Sequence, residues 1–194
     1  LDLNIKPVIP YESQASKVRP DLVILATVAR AIACKRPLRM RYLSVSSGAK
    51  TRDIVPVALA DSGLRWHVRA FDRLNDRFSD FVLRRIQSAE ILDPLSSEHE
   101  RLASDEQWTR IVNLDLVPHP DAEWPEGIEV DFDMREGCLK MRTRAALAGY
   151  LLQRWSVDCS ESHTLNPKQH HLWLRNPQTL YGVDSAKLAP GYGD

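Results

Sequence analysis

An α+β fold is what the sequence predicts, on three observations. One helix-like stretch leads into a run of short alternating segments separated by tight turns. A polar, charged stretch then breaks the pattern. Beyond it, further alternating strands share the chain with one strongly amphipathic helix.

The elements follow in order. Residues 1–19 mix prolines with polar residues and read as an entry linker or arm. Asp21 is placed to cap a helix over "LVILATVARAIACKR", with Leu22, Leu25, Val28, Ala29 and Ile32 at helical spacing and Pro37 ending it. "LRMRYLSV" alternates as a strand, with Leu38, Met40, Tyr42 and Ser44 on one face. "TRDIVPVALA" is a second strand, in which Pro56 implies an edge or a bulge. In "LRWHVRAFD", Leu64, Trp66, Val68 and Ala70 oppose Arg65, His67, Arg69 and Phe71, and "RFSDFVLRRI" is read as one further strand. Short strands joined by tight turns predict a small, strongly bent sheet or open barrel. "LDPLSSEHERLASDEQ" is read as a junction. "VNLDLVP", with Val112, Leu114 and Leu116 inward, "CLKMRTR" and "HHLWLRN" are strands, "AALAGYLLQRWSV" is a helix, and a short helix near Pro125 is a weaker reading.

Composition excludes several functions. Lys and Arg number 26 and Asp and Glu 26 among 194 residues, so a formal charge of zero argues against wholesale electrostatic binding of nucleic acid, though not against a local basic patch. Cys34, Cys138 and Cys159 are odd in number and far apart, which points to a reducing cytoplasm rather than a disulfide framework. No apolar run predicts a membrane span or a signal peptide. The chain starts with Leu, which suggests a piece of something longer. His170 and His171 are adjacent and point to opposite faces of a strand, and no metal-ligand spacing is present, so no metal or cofactor is expected. There is no nucleophile elbow and no phosphate loop, so no enzyme is expected.

What stands out is arginine. "GLRWHVRAFDRLNDRFSDFVLRRI" holds Arg65, Arg69, Arg73, Arg77, Arg84 and Arg85, with no obvious acidic partner for each. Asp72, Asp76 and Asp80 can screen Arg65, Arg73 and Arg77, so a solvated face explains those equally well. His67, Arg69 and Phe71 on one strand face suit an anion carrying a flat ring, because guanidinium forks onto phosphate and aromatics stack bases. Which face looks into a pocket stays open, since a one-residue slip reverses it.

Taken in order, "ARAIACKRPLRMRYLS", "RDIVP", "GLRWHVRAFD" and "FVLRRI" resemble the WYL domain, with Trp66-His67-Val68 at the Trp-Tyr-Leu position. "YLSVSS", "LDLVPHP", "IEVDFDMREG" and "RAALAGYLLQRW" resemble the repressors of the BrxR/CapW type that guard phage-defence loci. The resemblance implies an Sm-like small β-barrel over residues 20–94, a linker over 95–106 and a C-terminal dimerisation module over 107–194. It implies the sensing and dimerising part of a cytoplasmic transcriptional repressor. A homodimer is expected, chiefly through 107–194, where the large side chains of "YLLQRW" look excessive for one small module. The ligand would be a nucleotide, a cyclic oligonucleotide or a short single-stranded nucleic acid, held by Tyr42, Ser44, Arg52, His67, Arg69, Arg77, Arg84 and Arg85. Two departures stand: His67 replaces the naming tyrosine, and Ser79 stands where the family often has arginine, with Arg77 or Arg84 near enough to compensate. Such regulators begin with a winged helix-turn-helix. Only one helix is predicted before Leu38, so duplex DNA would be read by a domain upstream, cut off or never present. Arg69 is expected outside the apolar core. The rivals are a nucleotide-processing enzyme using His67 as a base and a pure dimerisation scaffold.

Overall fold

A computed structural model describes residues 20–93 and 95–193, and the expected entry arm over 1–19 lies outside the described residues. Helix α1 (Leu22–Cys34) starts where Asp21 accepts hydrogen bonds from the backbone N–H groups of Val23 and Ile24. It ends at Lys35, whose left-handed conformation lets its N–H reach back to Ala31 and Ile32. The buried stripe is Ile24, Val28 and Ala31, and Leu22 is exposed. Of the expected stripe, Val28 is buried and Leu25 and Ile32 pack on the core, while Leu22 and Ala29 are exposed and Ile24 and Ala31 take their place, because in an almost wholly apolar helix periodicity alone does not fix the edges of the inward face.

Five antiparallel strands follow: β1 (Leu38–Ser44), β2 (Gly48–Asp61), β3 (Trp66–Asp72), β4 (Arg77–Val82) and β5 (Ile86–Ile91), ordered β4-β3-β2-β1-β5. On β1, Leu38, Met40 and Tyr42 point inward as the alternation predicts. Pro56 lies in a central strand, where the β2–β3 register shifts between Pro56 and Ala58, so it sits at a bulge and not an edge. "RFSDFVLRRI" is not one strand: a 3-10 turn at Leu83–Arg85 divides β4 from β5. That turn shapes the sheet. β4 and β5 are its opposite edges, about 19 Å apart in a flat sheet, yet the linking residues reach only about 14 Å. The sheet must curl. Val82 on the β4 edge donates its N–H to the Tyr42 hydroxyl of β1 (3.1 Å), three places away in the sheet order. No ladder joins β4 to β5 among the described residues, so the expected barrel is an open sheet in its hydrogen bonding.

The polar junction is folded. Ser96 bonds Lys35, 3-10 turns occupy Glu98–Glu100 and Leu102–Ser104, and helix α2 (Glu106–Thr109) is capped by Asp105. The second half builds a three-stranded sheet ordered β7-β6-β8 from β6 (Ile111–Pro118), β7 (Leu139–Arg144) and β8 (Leu172–Leu174), with helices α3 (Pro125–Asp131) and α4 (Ala145–Arg154). Its core joins Val112, Leu114 and Leu116 to Ala148, Leu152, Leu172 and Leu174. Leu152 is fully buried, and Leu151 and Trp155 pack on the same core, so much of the apolar surface of "YLLQRW" is used within the chain. Among the described residues no helix is long and apolar enough to cross a membrane.

Candidate functional site

Strand β3 is covered on both faces. Val68 and Ala70 enter the sheet core, as alternation predicts, while Trp66 and Leu64 at the strand's start are exposed. His67, Arg69 and Phe71 on the other face are also buried. Arg69 is 4 % exposed, and its Nε and Nη2 donate to both oxygens of Asp105, at 2.7 and 2.9 Å. Its Nη1 donates to Asp80, its cross-strand neighbour on β4, at 3.3 Å. The second Asp80 oxygen accepts from the Tyr150 hydroxyl of α4 at 3.1 Å. Burial and the Asp80 charge push the Tyr150 phenol up, so it remains a donor. A desolvated guanidinium is tolerated here because two carboxylates share it.

For Arg69 and for Arg73 this corrects the expectation of no obvious acidic partner, and further arginines of the sheet domain are paired as well. Arg36 pairs with Asp93, Arg39 with Asp53, Arg52 with Asp72, and Arg73 with Glu100. Arg69 is no member of the apolar core, as expected, but it is buried as an ion-pair partner rather than open to a ligand. Asp72 is paired with Arg52 and Asp80 with Arg69.

His67 is 7 % exposed, with its ring 4.9 Å from that of Tyr150. Burial pulls its pKa below the ordinary 6.5, Asp80 opposes this, and the charges of Arg65 and Arg85 add to it. The folded protein therefore withholds a proton that the unfolded chain takes up below about pH 6.5, so stability falls as pH falls through that range. Urea midpoints between pH 7.5 and 5.5 are expected to drop more steeply for the parent than for His67→Gln. Parallel curves would show that His67 contributes nothing to the acid limb.

The other expected ligand residues do not converge. Tyr42 lies in the core, edge-on to Phe81, with its hydroxyl engaged by Val82. Ser44 sits at the β1–β2 turn, 3.1 Å from Ser46. Arg52 is held 2.6 Å from Asp72 and lies over Phe81. Arg77 and Arg84 are exposed. Arg85 is half-buried beside His67, and its side chain makes no ion pair or hydrogen bond among the described residues.

Tyr150 lines three clefts; the smallest, about 230 Å³, holds Asp61 and Thr143 with Arg154, and the other two hold residues expected at the ligand. One, about 570 Å³, is lined by Gly63, Arg65, His67, Tyr150, Gln153 and Arg154 among others, and no carboxylate lines it. The other, about 520 Å³, is lined by Arg69, Arg77, Asp80, Asp184 and Lys187 with Tyr150. The side chains of Arg65 and Arg154 make no ion pair or hydrogen bond among the described residues. Sequence reasoning missed Asp105, Tyr150 and Arg154. Asp105 lies in the stretch expected to be a junction, and Tyr150 and Arg154 lie in the expected helix, whose "YLLQRW" the sequence assigns to the oligomerisation surface rather than to the ligand. No cluster of three or more metal-ligating side chains occurs among the described residues. Cys159 is buried, its thiol pushed up to about 12 by desolvation, and Cys138 is buried beside the Arg175 guanidinium.

A curled antiparallel sheet with one helix, joined by a folded strap to a smaller α+β module, defines the class. Residues 23–91 match the WYL domain, and residues 111–180 match the family described as BrxR transcriptional regulator, C-terminal dimerization domain. The chain belongs to the WYL-domain proteins with a BrxR-type C-terminal domain. It is 30 % identical over 169 residues to the DNA-binding transcriptional repressor CapW of Escherichia coli (strain KTE188), covering 85 % of this chain and 55 % of that protein. It is 31 % identical over 190 residues to CapW of Pseudomonas aeruginosa, covering 91 % of this chain and 62 % of that one. The chain thus spans little more than half the length of these curated relatives. Among solved structures, the proteasome accessory factor B/C (PafBC) of Arthrobacter aurescens aligns over 84 % of this chain and 26 % of its own, at 19 % identity and a TM-score of 0.37.

Proposed function

We propose that the chain is the ligand-sensing and dimerising part of a cytoplasmic bacterial transcriptional repressor of a phage-defence locus, acting without catalysis. Residues 20–94 form the sensing unit, an Sm-like barrel in outline, 95–106 the connection, and 107–194 the dimerisation unit. The matched ranges and the curl imposed by the Leu83–Arg85 turn support this division. The ligand is a nucleotide, a cyclic oligonucleotide or a short single-stranded nucleic acid. One observation carries this reading: the cleft beside His67 gathers Arg65, Arg154 and the neighbouring Arg85 with no carboxylate in its lining. Cations concentrated without acids in a concave site draw anions, and His67 and Tyr150 offer flat faces for a base. Of the residues first expected at the ligand, His67 lines this cleft, with the charge of Arg85 felt at its ring, and Arg69 and Arg77 line the neighbouring one, while Arg52 and Tyr42 hold the sheet that carries them.

Fluorescein-labelled hexathymidylate and a labelled cyclic dinucleotide test the reading by anisotropy at 50 and 200 mM salt, values chosen to expose counterion release. At least one is expected to bind the dimer, more weakly at the higher salt, and to be recovered intact by chromatography. A dimer by light scattering that binds neither leaves only the scaffold, and cleavage of a probe establishes an enzyme.

A further inference from the structure

We infer that Arg154 of helix α4 is a ligand-binding residue, so that a phosphorylated nucleotide is clamped between the sensing sheet and the dimerisation-side helix. The inference rests on the nucleotide-sensing reading above and adds a residue and a coupling to it.

Arg154 approaches the sheet closely. A Cβ placed on Gly63 would stand 1.7 Å from its Nη1, so the guanidinium lies against the backbone of the β2–β3 turn in space that exists only because residue 63 has no side chain. Gly63 also has φ of +77°, which any other residue adopts at a cost. Arg65, two residues on, lines the same cleft, and Arg85 adds its charge beside His67. Cations from two parts of the chain thus border one concavity with no acid in its lining, where like charges repel. The rest of the α4–sheet contact is differently made: Tyr150, one helical turn before Arg154, is tied to Asp80. Asp61, which accepts the Gly63 N–H, lines the adjoining cleft with Arg154, so the acid-free concavity is confined to the His67 side, where a phosphate seated between Arg65 or Arg85 on one wall and Arg154 on the other would bridge the cations. The cleft, about 570 Å³, is of small-ligand size, fitting one or two nucleotides rather than a long strand. Because α4 belongs to the matched dimerization domain, tightening it on the sheet changes how the two halves of the chain sit. A ligand that prefers one such arrangement shifts the equilibrium between arrangements.

The experiment measures anisotropy of 5′-phosphorylated, 3′-fluorescein hexathymidylate with the parent chain, Arg154→Gln, Arg85→Gln, Gly63→Ala and, as a surface control, Arg142→Gln. Loss of one charge-assisted contact is expected to weaken binding about thirtyfold in Arg154→Gln and in Arg85→Gln, with Arg142→Gln unchanged. Gly63→Ala keeps the charge but displaces the guanidinium, and is expected to weaken binding with circular dichroism retained. Amide exchange over residues 61–66 and 145–154 is expected to slow together when probe is bound. Competition by thymidine monophosphate would assign the clamp to a free nucleotide, and competition only by the phosphorylated hexamer to a strand end. If the parent does not bind any of these, the sensing reading and the clamp both fall. If the parent binds and Arg85→Gln is weakened while Arg154→Gln and Gly63→Ala match the parent, the sensing reading stands and the clamp is wrong.

Discussion

Replacing Arg69 with alanine is expected to destabilise the protein by about 3–5 kcal/mol, the usual cost of breaking a buried ion pair by removing one partner. The guanidinium serves Asp105 through two hydrogen bonds and Asp80 through a third, and Asp105 is 1 % exposed. Without it, Asp105 keeps only the N–H of Trp108 as a described donor, and Asp80 only the Tyr150 hydroxyl. Two carboxylates would face each other across the gap the side chain leaves, and although Asp80 borders a cleft, the buried Asp105 cannot be hydrated without opening the contact between β3 and the strap. Urea unfolding measures the loss, and Arg65→Ala, at an exposed and unpaired position, is expected to stay within about 0.5 kcal/mol of the parent. The double variant Arg69→Met with Asp105→Leu is expected to recover much of the stability, since an apolar pair of similar volume avoids the stranded charge. An Arg69→Ala protein as stable as the parent would mean that water reaches Asp105 freely.

Much of the fold was legible because strand alternation and caps are local. Leu38–Met40–Tyr42 and Val112–Leu114–Leu116 face inward as their period of two requires, and Asp21 caps α1 through bonds to residues two and three positions on. Where local signals were weak, the reading slipped. Helix α1 is apolar on several faces, so the sheet beneath chose Ile24, Val28 and Ala31. Leu83–Arg85 continues the composition of a strand, and only its topology, a link between the two sheet edges, makes it a turn. The arginine question was harder still, because its answer lies in sequence separation. Asp105 is 36 residues from Arg69, and Tyr150 is 70 from Asp80. Glu100 likewise comes to Arg73 from a strap whose polarity looked like that of a solvated connection, when two of its acids are buried at arginines. Polar composition does not distinguish a loop in water from a loop whose acids are buried at cations.

Gly149→Ala provides the sharpest case of tertiary packing against local propensity. Within helix α4 the exchange should, on propensity alone, stabilise by about 1 kcal/mol, since glycine is the poorer helix former. Here the sign is expected to reverse. A Cβ on Gly149 would lie 1.7 Å from the backbone oxygen of Ser185 and 2.5 Å from its carbonyl carbon, contacts that no rotamer change relieves because the obstacle is main chain. Ser185 cannot simply retreat. Its hydroxyl accepts the Gly149 N–H at 3.0 Å and donates to the Ala145 carbonyl at 2.7 Å, the two groups an uninterrupted α-helix would pair with each other. Moving the 3-10 turn over Asp184–Leu188 away from α4 would break both bonds and open the core around Ala148, Leu180 and Ala186. We expect Gly149→Ala to cost about 3 kcal/mol net, at the upper end for overpacking, read as a lower urea midpoint. Ser185→Ala removes the bridge without the clash and is expected to cost about 1–2 kcal/mol, the penalty of a buried N–H and carbonyl left without it. Because Leu188 and Lys187 on the same turn line the two larger clefts at Tyr150, a Gly149→Ala protein that still folds should also bind the hexathymidylate probe more weakly. A Gly149→Ala protein more stable than its parent by about 1 kcal/mol would mean that α4 and the Ser185 turn do not approach this closely.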